Sequence, residues 1–262
     1  MSWGDEARAS FRAMLLSPWG VLLAILILIG PIVTAIHLLG GPGTSDGSET
    51  QAAIAIGILS SATSATVWNV GLVAMAAAGA WAPGPSATAA FSGRAGAWML
   101  LLAGGWGLPM LLLASSRAGA AALYPSVLMF AILALLSLAW LAVFTLAAEL
   151  AFRAQAMAVV SAYVLLGVIV PQGIQAALSF TRAGFGEPAP AWYGWASFAS
   201  PDLLASELRS ATFPRRQFNF FELELAPPWV YAGALVAWIA VPFLLLALTD
   251  RKGTIEHELE DA

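Results

Sequence analysis

Of 262 residues, 60% are hydrophobic and only 10% are charged, with a mean hydropathy of +0.82, so the chain reads as a polytopic membrane protein, not a solvated domain. The formal net charge of -4 comes without any basic block, which sets nucleic-acid binding aside. Cysteine is absent, excluding disulfides, thiolate metal sites and cysteine nucleophiles, and the two histidines, His37 and His257, stand at opposite ends without ligand spacing.

Residues Trp3 to Leu15 place Trp3, Ala7, Phe11, Met14 and Leu15 on one helical stripe, with Asp5, Glu6, Arg8 and Arg12 turned elsewhere. The pattern predicts a short helix lying on the membrane surface; the alternative is a charged flank that only orients the first span. Ser17-Pro18 ends it, and residues 19–39 form the first span, with Pro31 inside. That run is longer than a signal-peptide core of about 7–15 residues, so it is expected to stay attached.

Residues 40–51 read as a loop carrying Asp46 and Glu49, and 52–81 as the second span. Gly57, Ser61, Ser64, Gly71, Ala74 and Ala78 fall in register along it, a small-residue stripe that suits close helix packing. Residues 82–96 read as a Pro/Gly/Ser loop whose one charge is Arg94. A third span over about 98–115 is interrupted in character by Gly104, Gly105, Gly107 and Pro109, and a turn follows at Ser116-Arg117.

No charge occurs from Tyr124 to Ala147 or from Ala156 to Leu178, which gives the fourth span (124–147) and the fifth (156–178). Glu149 and Arg153 lie in the hinge between them, so the pair marks a membrane interface and the two spans form an antiparallel hairpin. Near the end of the fifth span, Pro171 and Gly173 predict a kink or break, with Gln172 and Gln175 one turn apart. Amides at that position either line a substrate path or meet water at the headgroups.

Residues 179–228 are the one long polar segment, dense in aromatic residues, and are expected to lie back on the membrane. Within them Ser200-Pro201-Asp202 predicts a helix start, with a cap, a proline at the first position and an acid in the first turn. The sixth span is 229–248, with Pro242, and a charged tail runs from Asp250 to Ala262.

The expected fold is thus an all-α integral membrane protein forming a single transmembrane domain over 1–262, with six spans, an N-terminal amphipathic helix and a long outer segment between spans five and six. Six spans put both termini on one side, and Arg8, Arg12, Arg94, Arg153, Arg251 and Lys252 on that side make it cytoplasmic.

Catalytic motifs are missing. No phosphate-binding Gly-x-x-x-x-Gly-Lys loop occurs and Lys252 is the only lysine, so any ATP must be bound by a partner. No His-Glu-x-x-His helix or Gly-x-Ser-x-Gly elbow is present, so neither a catalytic residue nor a metal ligand is assigned and the chain is not expected to be an enzyme. Span interiors without ionisable groups also speak against ion-coupled transport.

In its order of parts the chain resembles the membrane subunit of type-2 ABC permeases, a family of exporters. The resemblance rests on Ser10-Phe11-Arg12-Ala13-Met14-Leu15-Leu16-Ser17-Pro18-Trp19 leading into the first span, on Ala148-Glu149-Leu150-Ala151-Phe152-Arg153-Ala154-Gln155-Ala156 entering the fifth, and on Ser200-Pro201-Asp202-Leu203-Leu204 after it. It implies a plasma-membrane half-transporter that forms a homodimer or heterodimer, binds no cofactor itself, and is driven by a separate ATP-binding subunit. That subunit would meet residues 3–15 and 82–96, through Phe11, Arg12 and Arg94, while Pro171, Gln172 and Gln175 would line the path. Many relatives carry a charged segment where this chain offers only Arg94. The competing class is a non-transporting structural or assembly subunit of a larger membrane complex.

Overall fold

The computed structural model describes residues 2–40, 51, 53–59, 86–151, 154–185, 195–213 and 226–260, and among these it is all-helical. The helices are α1 (Trp3–Leu16), α2 (Pro18–Gly40), α3 (Ala87–Leu102), α4 (Leu108–Ala118), α5 (Leu123–Leu150), α6 (Gln155–Tyr163), α7 (Val170–Phe185), α8 (Pro201–Thr212) and α9 (Pro228–Glu260). Four stretches are long and apolar enough to cross a membrane: Gly20–Leu38, Ala87–Leu150, Gln155–Ala177 and Pro228–Asp250. Their outward faces carry Val21, Ile25, Ile32 and Ile36 on α2 and Val236, Val241, Leu244 and Leu248 on α9, all exposed. Apolar surface that extensive has lipid as its solvent. Most of the second predicted span, including its small-residue stripe beyond Gly57, lies outside the described residues, as does Arg153.

Chain contacts divide the molecule into two units, Met1–Ala134 and Leu135–Ala262. In the first, Ser2 caps α1 by accepting from Asp5 N at 3.3 Å, and its hydroxyl donates to the Asp5 carboxylate at 2.7 Å, holding that acid below its ordinary range. Ser17 joins α1 to α2: its hydroxyl donates to Met14 O and accepts from Gly20 N. Gly20 is required there, since a Cβ would run into the Met14 carbonyl. The stripe predicted on α1 forms, but α3 occupies much of it. Trp3 Nε1 donates to Thr88 Oγ1, Ala7 meets Gly93 and Phe11 meets Gly96, so the two helices run side by side in step.

The predicted loop at 82–96 is therefore corrected from Ala87 onward. Ser86 caps α3 by accepting from Ala89 N, and the alanine-rich run that follows propagates the helix. Glycines 93 and 96, which suggested a loop, are close-approach positions. The next glycines do not break the helix either: a π turn, Ala103–Gly107, carries α3 into α4. A second π turn, Val164–Ile169, joins α6 to α7, so no break occurs at Pro171. Each π turn ends two residues before a proline, Pro109 or Pro171. The wider turn accommodates the ring and the lost donor that would kink a regular helix.

α2 and the α3–α4 run lie parallel, with Gly105 against Ile27 and Arg117 donating to Leu38 O at the far end of α2. The chain turns back at Gly119, two residues later than predicted, with φ +57 at the end of α4. In the second unit the hinge after Leu150 is real: Ala154 N donates to Ala151 O, and Tyr163 returns to meet Trp140 and Phe144 as an antiparallel hairpin requires. The predicted tail is helical as well, since α9 continues to Glu260.

Candidate functional site

The second unit gathers its polar chemistry around Asp202. Ser200 is extended (φ -144, ψ 134), Pro201 supplies a preset first helical position, and Leu204 N donates to Ser200 O to close the first turn of α8. The predicted helix start is correct, but the Ser200 hydroxyl makes no capping bond and is buried without a hydrogen-bond partner among the described residues. Asp202 instead reaches across to α5, where Trp140 Nε1 donates to its Oδ1 at 3.0 Å.

Trp140 is fully buried and stacks on Phe144 with ring centroids 5.0 Å apart, and the Tyr163 ring closes the cluster at 5.6 Å. Gly167, in the second π turn, lies directly against both rings: a Cβ there would stand 3.1 Å from Tyr163 and 3.3 Å from Trp140. A bare backbone lets the π turn sit on the aromatic pair.

The depth of this cluster follows from helix geometry. At about 1.5 Å per residue, Trp140 stands about 15 Å from the Leu150 end of α5, and Tyr163 about 12 Å from the Gln155 end of α6. A second marker comes from α9, where Trp238 Nε1 donates to Phe198 O at 3.1 Å. Trp238 lies about 15 Å from Pro228. Phe198 and Asp202 therefore stand beside the interiors of α9 and α5, deeper than expected of an aromatic-rich segment that lies back on the membrane. The short 3-10 turn Ser197–Ala199 is held there by the Trp238 indole and packed by the Trp195, Phe198 and Tyr231 rings.

Asp202 belongs to none of the four long apolar stretches, yet its carboxyl sits beside Trp140, well inside α5. Burial pushes that carboxyl up to about 6, opposed by the Trp140 hydrogen bond. The arrangement can hold or release a proton. From the sequence Asp202 reads only as a helix-start residue, because the predicted span interiors contain no ionisable group.

The residues predicted from sequence fall in three places. Gln172 and Gln175 are exposed on α7, while Pro171 is buried, all near the end of the Gln155–Ala177 stretch. Only 11% of that stretch is buried, so these amides face outward from this chain and not into a channel within it. Phe11 and Arg94 come together at the α1–α3 pair: the Phe11 ring packs on Gly96 and Arg94 is only 6% exposed. Arg12 and Arg8 remain exposed on α1. Among the described residues no three carboxylate or imidazole groups converge as metal ligands. Comparison with known protein families and with curated proteins finds no match to this chain.

Proposed function

We propose that this chain is the membrane-spanning permease subunit of an ABC-type exporter of the type-2 family, paired with a second permease subunit and driven by a separate ATPase. The observation that carries the reading is the α1–α3 pair. Of the two segments expected to meet an ATPase, residues 3–15 converge with the described part of 82–96, from Ser86 onward, at the start of the first span, with Gly93 against Ala7 and Phe11 against Gly96. In this reading Phe11 and Arg94 hold the platform together, and the exposed Arg12 and Arg8 make the contact.

The proposed layout has six spans. The 64-residue Ala87–Leu150 stretch turns at Gly119 and contributes two, and residues 52–81 contribute the second. The α1–α3 platform and both termini face the cytoplasm of the plasma membrane. The outward-facing amides of Gln172 and Gln175, with Pro171, line a path that is completed by the second permease subunit, consistent with an α6–α7 stretch so little covered by its own chain.

Extraction of a tagged chain from its native membrane in mild detergent tests the reading. Co-purification of a Walker-motif ATPase in stoichiometric amount, weakened when Arg8 and Arg12 are changed to Ala, is the expected result. Recovery of a lone chain overturns the proposal. Recovery with membrane proteins that bind no nucleotide also overturns it and selects the assembly-subunit class.

A further inference from the structure

The first unit contains a groove that the exporter reading does not use. It lies between α4 and the start of α5, has a volume of about 280 Å³, and is walled by Ala103, Gly107 and Leu108 on one side and Val127 and Phe130 on the other. The π turn opens it: Gly107 faces the Phe130 ring, where a Cβ would come to 3.0 Å, so the missing side chain leaves room for the ring to form the floor.

One polar group enters this apolar lining, Ser126. The residue is 5% exposed, and its hydroxyl has no hydrogen-bond partner among the described residues. Other buried helical hydroxyls here are satisfied by the carbonyl one turn back, Thr34 on Gly30 O at 2.9 Å and Thr145 on Leu141 O at 2.7 Å. An unsatisfied buried hydroxyl is costly, and an acceptor reaching it from the groove would relieve that cost. Ser126 lies within the first turn of α5, beside the Gly119 turn, at the level where a bilayer passes from hydrocarbon to headgroup. The groove runs from there toward the membrane interior, and its mouth is edged by Leu108 and Val127, both exposed.

We infer that this groove holds one acyl chain of a diacyl phospholipid from the leaflet on the Gly119 side, with the chain's ester carbonyl accepting a hydrogen bond from Ser126 Oγ. The chain lies over Gly107 against Phe130, and the ester oxygen meets the hydroxyl where a lipid's glycerol linkage naturally resides. Known ligand pockets begin at about 300 Å³, so the space suits one narrow chain. The inference requires the membrane character of the chain and stands apart from the exporter reading.

The test uses the full chain in nanodiscs of phosphatidylcholine containing a tracer whose acyl chain carries a photoreactive diazirine, in ester-linked and ether-linked forms. For the unmodified chain, labelling is expected to concentrate on peptides containing residues 103–111 and 126–130, and to be several-fold stronger with the ester lipid, whose carbonyl the ether lipid lacks. Ser126→Ala should bring ester labelling down to the ether level and leave ether labelling unchanged. Ala103→Phe, which fills the groove, should reduce both. Labelling spread evenly over the exposed faces of α2 and α9, equal labelling by the two lipids, or crosslinks from the groove to another protein would each overturn the assignment.

Discussion

The indole N–H of Trp140 donates to Oδ1 of Asp202 at 3.0 Å, tying α5 to a helix that begins 61 residues further along the chain than the tryptophan. The bond fixes the depth at which α8 sits among the spans of its unit. Trp140→Phe keeps the ring stacking on Phe144 but leaves the carboxyl without its donor. A cost of about 1–3 kcal/mol follows from a buried polar group left unpaired. Thermal unfolding in detergent should show a lowered midpoint for Trp140→Phe and a much smaller change for Asp202→Asn, whose amide oxygen still accepts from the indole. Equal losses for the two variants would mean that the indole bond contributes little.

The same carboxyl sets a pH dependence of known sign. Its value is raised from 3.8 to about 6 by burial, so between those limits the folded chain binds more protons than the unfolded one. Stability is highest where both forms are protonated, falls as pH rises through this window, and carries the full cost of the buried charge above about 6. Asp202→Asn should flatten that part of the profile. Unfolding midpoints measured across the window for both chains check this, and a slope that survives in the Asn variant assigns it to another group.

What could be read from sequence divides by the range of the signal. The long uncharged runs at 156–178 and 229–248 fall on two of the four helical stretches long and apolar enough to cross a membrane, Gln155–Ala177 and Pro228–Asp250, because the cost of charge in hydrocarbon leaves a direct imprint. Gly93 and Gly96 misled for the opposite reason. Glycine in a loop and glycine at a helix crossing look alike until the partner helix is known, and α1 lies some 85 residues away. The π turns were hidden too, since Pro109 and Pro171 predict a broken helix wherever its wider alternative is not considered. Asp202 was legible as a helix start, but its buried partner is a span residue with no local trace.

Gly119 isolates backbone conformation from packing. Its φ of +57 with ψ of -141 is disfavoured for residues with a side chain, while no atom lies within 4 Å of where a Cβ would stand. Gly119→Ala should therefore destabilise by about 1 kcal/mol or more through the backbone alone. Gly104 is equally open but lies in right-handed helical backbone, so Gly104→Ala is the matched control, and its unfolding midpoint should hold or rise.

Gln172 and Gln175 separate a transport role from a structural one. Both are exposed, so changing them together to Leu should shift stability by no more than about 0.5 kcal/mol. In the exporter reading the double variant nonetheless loses transport, because the second permease subunit then meets leucines where the path needs amides. Export assays on membranes with matched protein levels decide it, and undiminished export removes both residues from the path.

The α1–α3 pair depends on how closely two backbones approach at Gly93. A Cβ at that position meets the Ala7 carbonyl and lies 2.9 Å from Ser10 Cβ, both on a helix that cannot retract without leaving α3. Gly93→Leu should separate the pair, whereas Ser10→Ala should leave it intact. The absence of native cysteine makes the distance measurable: Trp3→Cys with Thr88→Cys, chosen because those side chains touch at 3.3 Å, supplies a unique site for a short bismaleimide. Crosslinking should be efficient in the parent and in Ser10→Ala, and several-fold lower with Gly93→Leu. If the ATPase contact is built on this pair, companion binding falls in the same variant while the unfolding midpoint of the remaining spans changes little. Unchanged crosslinking with Gly93→Leu would show that the helices tolerate a wider spacing and that the close approach is dispensable.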